Sequence, residues 1–232
     1  FHHLFQCLLR TRLEQRFADE DIAALHATAS AWFEGEELIG EAIRHAMKAG
    51  ERVSAAEIFE RHRHTELDAD RWRNLEKWLA LLPAEIRRQR PELLLAQAWV
   101  LHDRHELRDI APIVEAVESL LTDADDTSVA TGELKFFQGV LLFWRGQGEH
   151  SCTLLEEARD RIPKSFLRIR GLLEIYLAQV RQMIGNERTA IEAIRGERAI
   201  SASLEAPLHS RVVLAQAFVH TVAGHLAPAA EQ

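Results

Sequence analysis

The sequence predicts an all-α fold of stacked antiparallel helix pairs, on three observations. Ala, Leu, Glu and Arg, all strong helix formers, dominate the chain, whereas only 11 Gly, 6 Pro and 1 Tyr occur among 232 residues. No segment alternates apolar and polar residues over a convincing length, so no strand is expected. Three glycines, Gly146, Gly185 and Gly224, stand 39 and 39 residues apart, each closing an apolar helical run: LLFWRG, VRQMIG and HTVAG.

The elements follow from helical periods and their breakers. Phe1, Leu4, Phe5, Leu8, Leu9 and Leu13 form an apolar stripe at helical spacing that predicts a helix over 3–17. Helices over 21–34, 37–49 and 52–64 come next, with Gly50 between the last two. The next, over 71–82, stops at Pro83, and Pro91 opens 92–104, which pairs with 107–121. Helices over 130–145 and 149–161 are separated by Gly146 and Gly148, and Pro163 precedes 165–184. Gly185 leads to 187–199, and a last helix over 207–223 lies between Pro207 and Gly224. Such spacing makes antiparallel hairpins joined by short turns.

The glycine period carries a packing rule. Seven residues before each glycine stands a small residue, Gly139, Ala178 or Ala217, and five after it another, Ser151, Ala190 or Ala229. Two helices crossing closely need small side chains at the crossing. An earlier copy has its turn at His105, with Ala98 before and Ile110 after; a more divergent one has its turn at Glu37, with Ser30 and Ala42. A longer joint falls at 123–131. Such an array buries its core by stacking neighbours, which leaves a long concave surface for binding.

Composition narrows the function classes. Charges of 28 Lys+Arg and 36 Asp+Glu give −8, without the basic footprint of a nucleic-acid binder. Arg87, Arg88 and Arg90 cluster without interleaved aromatics and read as a solvated connector. Cys7 and Cys152 lie far apart among apolar helical residues, which suits a reducing, cytoplasmic setting. No apolar run approaches a membrane span of roughly 18 to 20 residues. Neither GxxxxGK[ST] nor GxGxxG occurs, so nothing in the chain cradles a phosphate in those ways. His102 and His105, with Asp103 between them, could share a helix face, but no fourth ligand is evident and no metal site is expected. The run Asp123, Asp125 and Asp126 lacks the glycine and distal glutamate of a calcium loop. No catalytic constellation is present.

FHHLFQCLLRTRLEQRF resembles the (F/Y)HxLFxxLLRxRL segment that closes the winged-helix region of large LuxR-type, MalT-like regulators of the STAND class. LHATASAWFEGEELIGEAIRHAMKAGERVSAAEIFERH is similar to the helices that follow there, and WLALLPAEIRRQRPELLLAQAWVL to their connector. WRGQGEHSCTLLEEARDRIP resembles a tetratricopeptide unit with its closing proline, Pro163. The resemblance implies a right-handed superhelix of helix pairs and a central piece of a larger transcriptional regulator. Residues 1–20 would be the C-terminal helix of a winged-helix region, 21–90 the first hairpins and connector, and 91–232 the tetratricopeptide-like repeats. It also implies a sensor for an inducer or regulatory protein. ATP would be the parent's cofactor, with none in this piece, and DNA would be reached only through parts absent here. A plain helical-repeat scaffold without a small-molecule ligand is the alternative.

In such arrays the first helix of each pair lines the concave face. Taking positions ten, six, three and two before each turn selects Leu95, Trp99, His102 and Asp103; Phe136, Val140, Phe143 and Trp144; and Ile175, Gln179, Gln182 and Met183. A last set is Leu214, Phe218, Thr221 and Val222. An aromatic groove with a few amides suits an apolar or sugar-like ligand, or a partner helix. Arg181 stands where the repeat normally buries an aromatic. It is expected to pair with a carboxylate such as Glu174 or to bind an anion. The stripe over 1–17 has two fates, packing on Ile22, Leu25 and Trp32 or remaining exposed for self-association, and packing is the expectation.

Overall fold

In the computed structural model, residues 2–121, 128–186 and 188–190 are described, with Val213, Ala217 and Thr221 beyond them. Eleven α-helices run through this part, and it contains no strand. They are α1 (His2–Arg16), α2 (Asp19–Gly35), α3 (Ile39–Lys48), α4 (Arg52–Asp68), α5 (Trp72–Leu81), α6 (Ala84–Arg87), α7 (Pro91–Asp103), α8 (Ala111–Leu120), α9 (Val129–Trp144), α10 (Gly148–Arg161) and α11 (Leu167–Met183). A 3-10 turn, Leu107–Asp109, precedes α8. The predicted helix over 52–64 continues to Asp68, and residues 84–87 form a short helix inside the expected connector. The repeat around Gly224, its marker Ala229, and most of the helices expected over 187–199 and 207–223 lie outside the described residues.

Six helix ends share one backbone device. At Glu37, Gly50, Asp70, His105, Gly146 and Gly185 the chain takes positive φ, between 54° and 81°. At each, that residue's N–H reaches the carbonyl three residues back, and the next N–H reaches five back. Gly146 N–H donates to Phe143 O at 3.0 Å and Gln147 N–H to Leu142 O at 3.0 Å; His105 and Glu106 repeat the pattern with His102 and Leu101. This is the Schellman closure, which satisfies carbonyls that a helix end otherwise orphans. Where the helices on both sides are described, they pack as pairs, such as α2 with α3, α7 with α8 and α9 with α10.

The small-residue rule has a physical basis at these crossings. Ser30 Oγ donates to the Ala42 carbonyl at 2.8 Å, and Ser151 Oγ donates to the Gly139 carbonyl at 2.7 Å. The hydroxyl comes from the first helix in one pair and from the second in the other. A side chain on Gly139 would place its Cβ 2.8 Å from Leu155 Cγ, so glycine is required for the close approach. Ala98 with Ile110, and Ala178 with Ala190, are fully buried at the same offsets.

One hydrophobic core runs from Ile39 to Ala190. Its centre is made by α4, α7, α9 and α11, with α4 packed against both α7 and α11. The expected packing of the N-terminal stripe is corrected. Phe5, Leu8 and Leu9 are more than half exposed, as are Leu25 and Trp32. Ser30 and Phe33 turn α2 toward α3, so Leu25 and Trp32 face away from the core. Among the described side chains of the stripe and its expected partners, Leu13 and Ile22 are half-buried, beside a cleft of about 710 Å³ shared with Leu9, Ala23, His26 and Lys48. No helix among the described residues is long and apolar enough to cross a membrane.

Candidate functional site

The inner face of the array, where a groove was expected, is occupied by two networks of buried charge. Glu133, on the second turn of α9, is fully buried. Arg63 of α4 donates to both its oxygens at 2.8 Å, His64 Nε2–H donates at 2.7 Å, and Trp99 Nε1–H of α7 donates at 2.8 Å. Burial alone would raise the Glu133 carboxyl; the charge of Arg63 and the bonds from His64 and Arg63 outweigh it and hold the group down at about 2. His64 in turn stacks on Phe166, ring centroids 4.1 Å apart.

The second network gathers on Arg168, at the start of α11. Its Nη2 lies 2.5 Å from Asp103 Oδ1 and 3.1 Å from Asp70 Oδ1, and its backbone N–H donates to Asp68 Oδ1 at 3.0 Å. Burial works against the Asp103 carboxylate, yet His102 and the Arg168 guanidinium keep it well below the usual range. Burial prevails at Asp68, whose carboxyl is pushed up. Neutral or charged, these groups tie the turn after α4 to α7 and α11. Among the described residues, no three His, Cys, Asp or Glu side chains are placed to hold a metal ion.

The expected groove residues separate into core and edge. Trp99, Phe136 and Val140 are core: Trp99 and Phe136 are fully buried with stacked rings 4.9 Å apart, and Val140 is buried beside them. His102 is buried too, its Nε2 3.1 Å from Tyr176 Oη. The position rule follows each pair's own turn and does not register that α4 and α11 close over this face. Phe143 is half-buried, its edge against Tyr176 and Trp144. Trp144 is 62% exposed and Met183 41%. Gln179 and Gln182 are half-buried, and Gln182 Oε1 has no hydrogen-bond partner. Phe218 lies outside the described residues, as do Leu214 and Val222. Arg181 pairs with Glu156 of α10 at 3.0 Å rather than with Glu174, which makes it a tie between neighbouring helices.

Sequence reading missed Arg63, Glu133, Asp70 and Arg168. A signal existed for Glu133: it shares a helix face with Ala130, Phe136 and Phe137, where a carboxylate requires a buried partner. The partners, 34 to 70 residues away, could not be named.

Besides the cleft next to Leu13 and Ile22, two open clefts flank α9 among the described residues. Leu107, Arg108 and Ala111, just after the His105 turn, face Leu141, Trp144 and Arg145, just before the Gly146 turn, across a cleft of about 590 Å³. A smaller cleft of about 350 Å³ lies behind α9, lined by Leu142, Gln147, His150, Thr153 and Leu154. The larger cleft joins an exposed indole to two guanidiniums, an arrangement suited to binding rather than bond making.

No family model matches the chain. Over 126 residues, 53% of the chain, it is 32% identical to the HTH-type transcriptional regulator MalT of Yersinia enterocolitica serotype O:8 / biotype 1B. That stretch is 14% of the regulator, so the chain spans a small part of its length. Two crystal structures of a Podosopora anserina protein described as a kinesin light chain, with nearly identical TPR-like repeats, are also similar. They are 17% and 18% identical, with TM-scores of 0.47 and 0.44, each covering 85% of this chain and 91% of the other.

Proposed function

We propose that this chain is the sensing and interaction portion of a transcriptional regulator, a helical array that receives an inducer or a regulatory protein and passes the event to the rest of its parent. The sequence similarity of half the chain to a MalT regulator carries this reading. Repeated helix pairs with an open edge fit it, because such arrays act by presenting surface. ATP-dependent assembly and DNA binding belong, on this proposal, to other parts of the parent. Signal binding would then act by favouring one of the parent's states over another.

A protein partner is favoured over a small inducer by one feature. Among the described residues, Trp99, Phe136 and Val140 fill the inner face as core, whereas the Trp144 cleft is open to solvent. Small-molecule sites normally enclose most of the ligand.

Two measurements test the proposal. The coding sequence around the chain is expected to carry a nucleotide-binding motif upstream and a helix-turn-helix downstream; a reading frame that ends near both ends of the chain contradicts the regulator part. Thermal unfolding of the chain with sugars, aromatic acids and peptides is expected to show a rise in Tm with at least one class, since binding to the native state stabilises it.

A further inference from the structure

We infer that the cleft between the His105 and Gly146 turns docks an acidic protein segment carrying an apolar anchor. The inference rests on the reading of the chain as an interaction module and names the partner's chemistry. Trp144 has one edge against Phe143 and is 62% exposed, in a chain whose Trp99 and Trp78 are buried. Tryptophan and arginine dominate the energetics of protein interfaces, and an exposed indole beside two arginines has that composition. Leu107, Ala111 and Leu141 form the floor on which an apolar side chain would lie.

The charge of the cleft selects the partner. Arg108 and Arg145 are exposed, and neither forms an ion pair with a described residue, whereas Arg104, one turn earlier, is held by Glu76. Asp109 follows Arg108 in sequence but does not line the cleft. Within a chain of net charge −8, two unpaired guanidiniums on an apolar floor form a local cationic site. They match carboxylates spaced on either side of an apolar anchor. The cleft is open on its outer side, so a small anion would stay largely in water; a protein segment would cover the indole and desolvate the ion pairs.

Fluorescence anisotropy with two labelled peptides tests this on the full 232-residue chain. One peptide is a 12-mer of glutamate, leucine and phenylalanine, and the other has every glutamate replaced by lysine. The acidic peptide is expected to bind at least tenfold more tightly, with affinity falling as salt rises. The double variant Arg108→Glu/Arg145→Glu is expected to lose at least tenfold for the acidic peptide and to prefer the lysine peptide. Trp144→Ala is expected to weaken binding at least tenfold, whereas the distant pair Arg73→Glu/Arg88→Glu leaves it unchanged. All of these residues are at the surface or partly exposed, and far-UV circular dichroism checks that each variant folds. Equal affinity for the two peptides overturns the inference. So does acidic-peptide binding that survives the Arg108/Arg145 reversal, or that the distant pair weakens as much. If the inference fails while another ligand raises the Tm of the chain, the interaction-module reading stands; if no ligand or peptide raises it, both fall.

Discussion

Glu133 is the residue on which the inner face depends. Replacing it with Ala leaves Arg63 charged, 2% exposed and without its partner, which is expected to cost about 3 to 5 kcal/mol in urea unfolding. The double variant Arg63→Met/Glu133→Leu is expected to lose much less than the sum of the two single changes, because no charge is then stranded. The pH dependence has a definite sign. The folded-state value of about 2 lies below the ordinary 4.5, so Glu133 stabilises the fold above pH 4.5 and that contribution is lost as pH falls toward 2. Wild-type stability is therefore expected to fall more steeply than that of Glu133→Gln across that window. Asp68 has the opposite sign, since its carboxyl is raised by burial, and Asp68→Asn is expected to be neutral or stabilising at pH 7. Backbone strain at single residues is equally testable. Glu37 and His105 hold positive φ without being glycine. Glu37→Gly and His105→Gly are each expected to gain about 0.5 to 1 kcal/mol, and Gly146→Ala to lose about 1 kcal/mol, read from urea midpoints.

At the scale of helix pairs, the crossings were legible and the networks were not. Small residues seven before and five after the Glu37, Gly146 and Gly185 turns, with Ala98 alone before His105, can be read from a single sequence, because steric closeness selects them locally. That rule placed the turns at Glu37 and His105, where no glycine marks them, and both have the left-handed backbone of Gly146 and Gly185. The turn at Asp70 escaped it because Arg63 and Leu75 occupy the marker positions, and Arg63 serves the network instead. Asp103 of α7 and Arg168 of α11, 65 residues apart, are brought together by tertiary packing and not by local sequence. A groove inferred from repeat phase alone therefore counted Trp99 and Phe136 as lining when they are core. The crossing itself gives a stability prediction. Gly139→Ala is expected to destabilise by about 1 to 3 kcal/mol, since its Cβ would stand 2.9 Å from Leu155 Cδ2. Gly35→Ala meets nothing within 4 Å and is expected to be neutral or to stabilise by up to ~1 kcal/mol. Thermal unfolding of the two variants side by side separates crowding from backbone entropy.

For the whole molecule, closure of α4 against α7 and α11 has two consequences. It joins distant repeats into one packed body, so the array does not depend on neighbour contacts alone as an open solenoid does. On the proposed reading, recognition then falls to the edge carrying Trp144 rather than to the inner face carrying Trp99. The five tryptophans allow that division to be read directly. In the chain labelled with 5-fluorotryptophan, with resonances assigned from single Trp→Phe variants, the acidic 12-mer is titrated and fluorine NMR recorded. The Trp144 resonance is expected to shift with saturation while that of Trp99 stays in place. A Trp99 resonance that moves while Trp144 does not would put recognition inside the array and contradict that division.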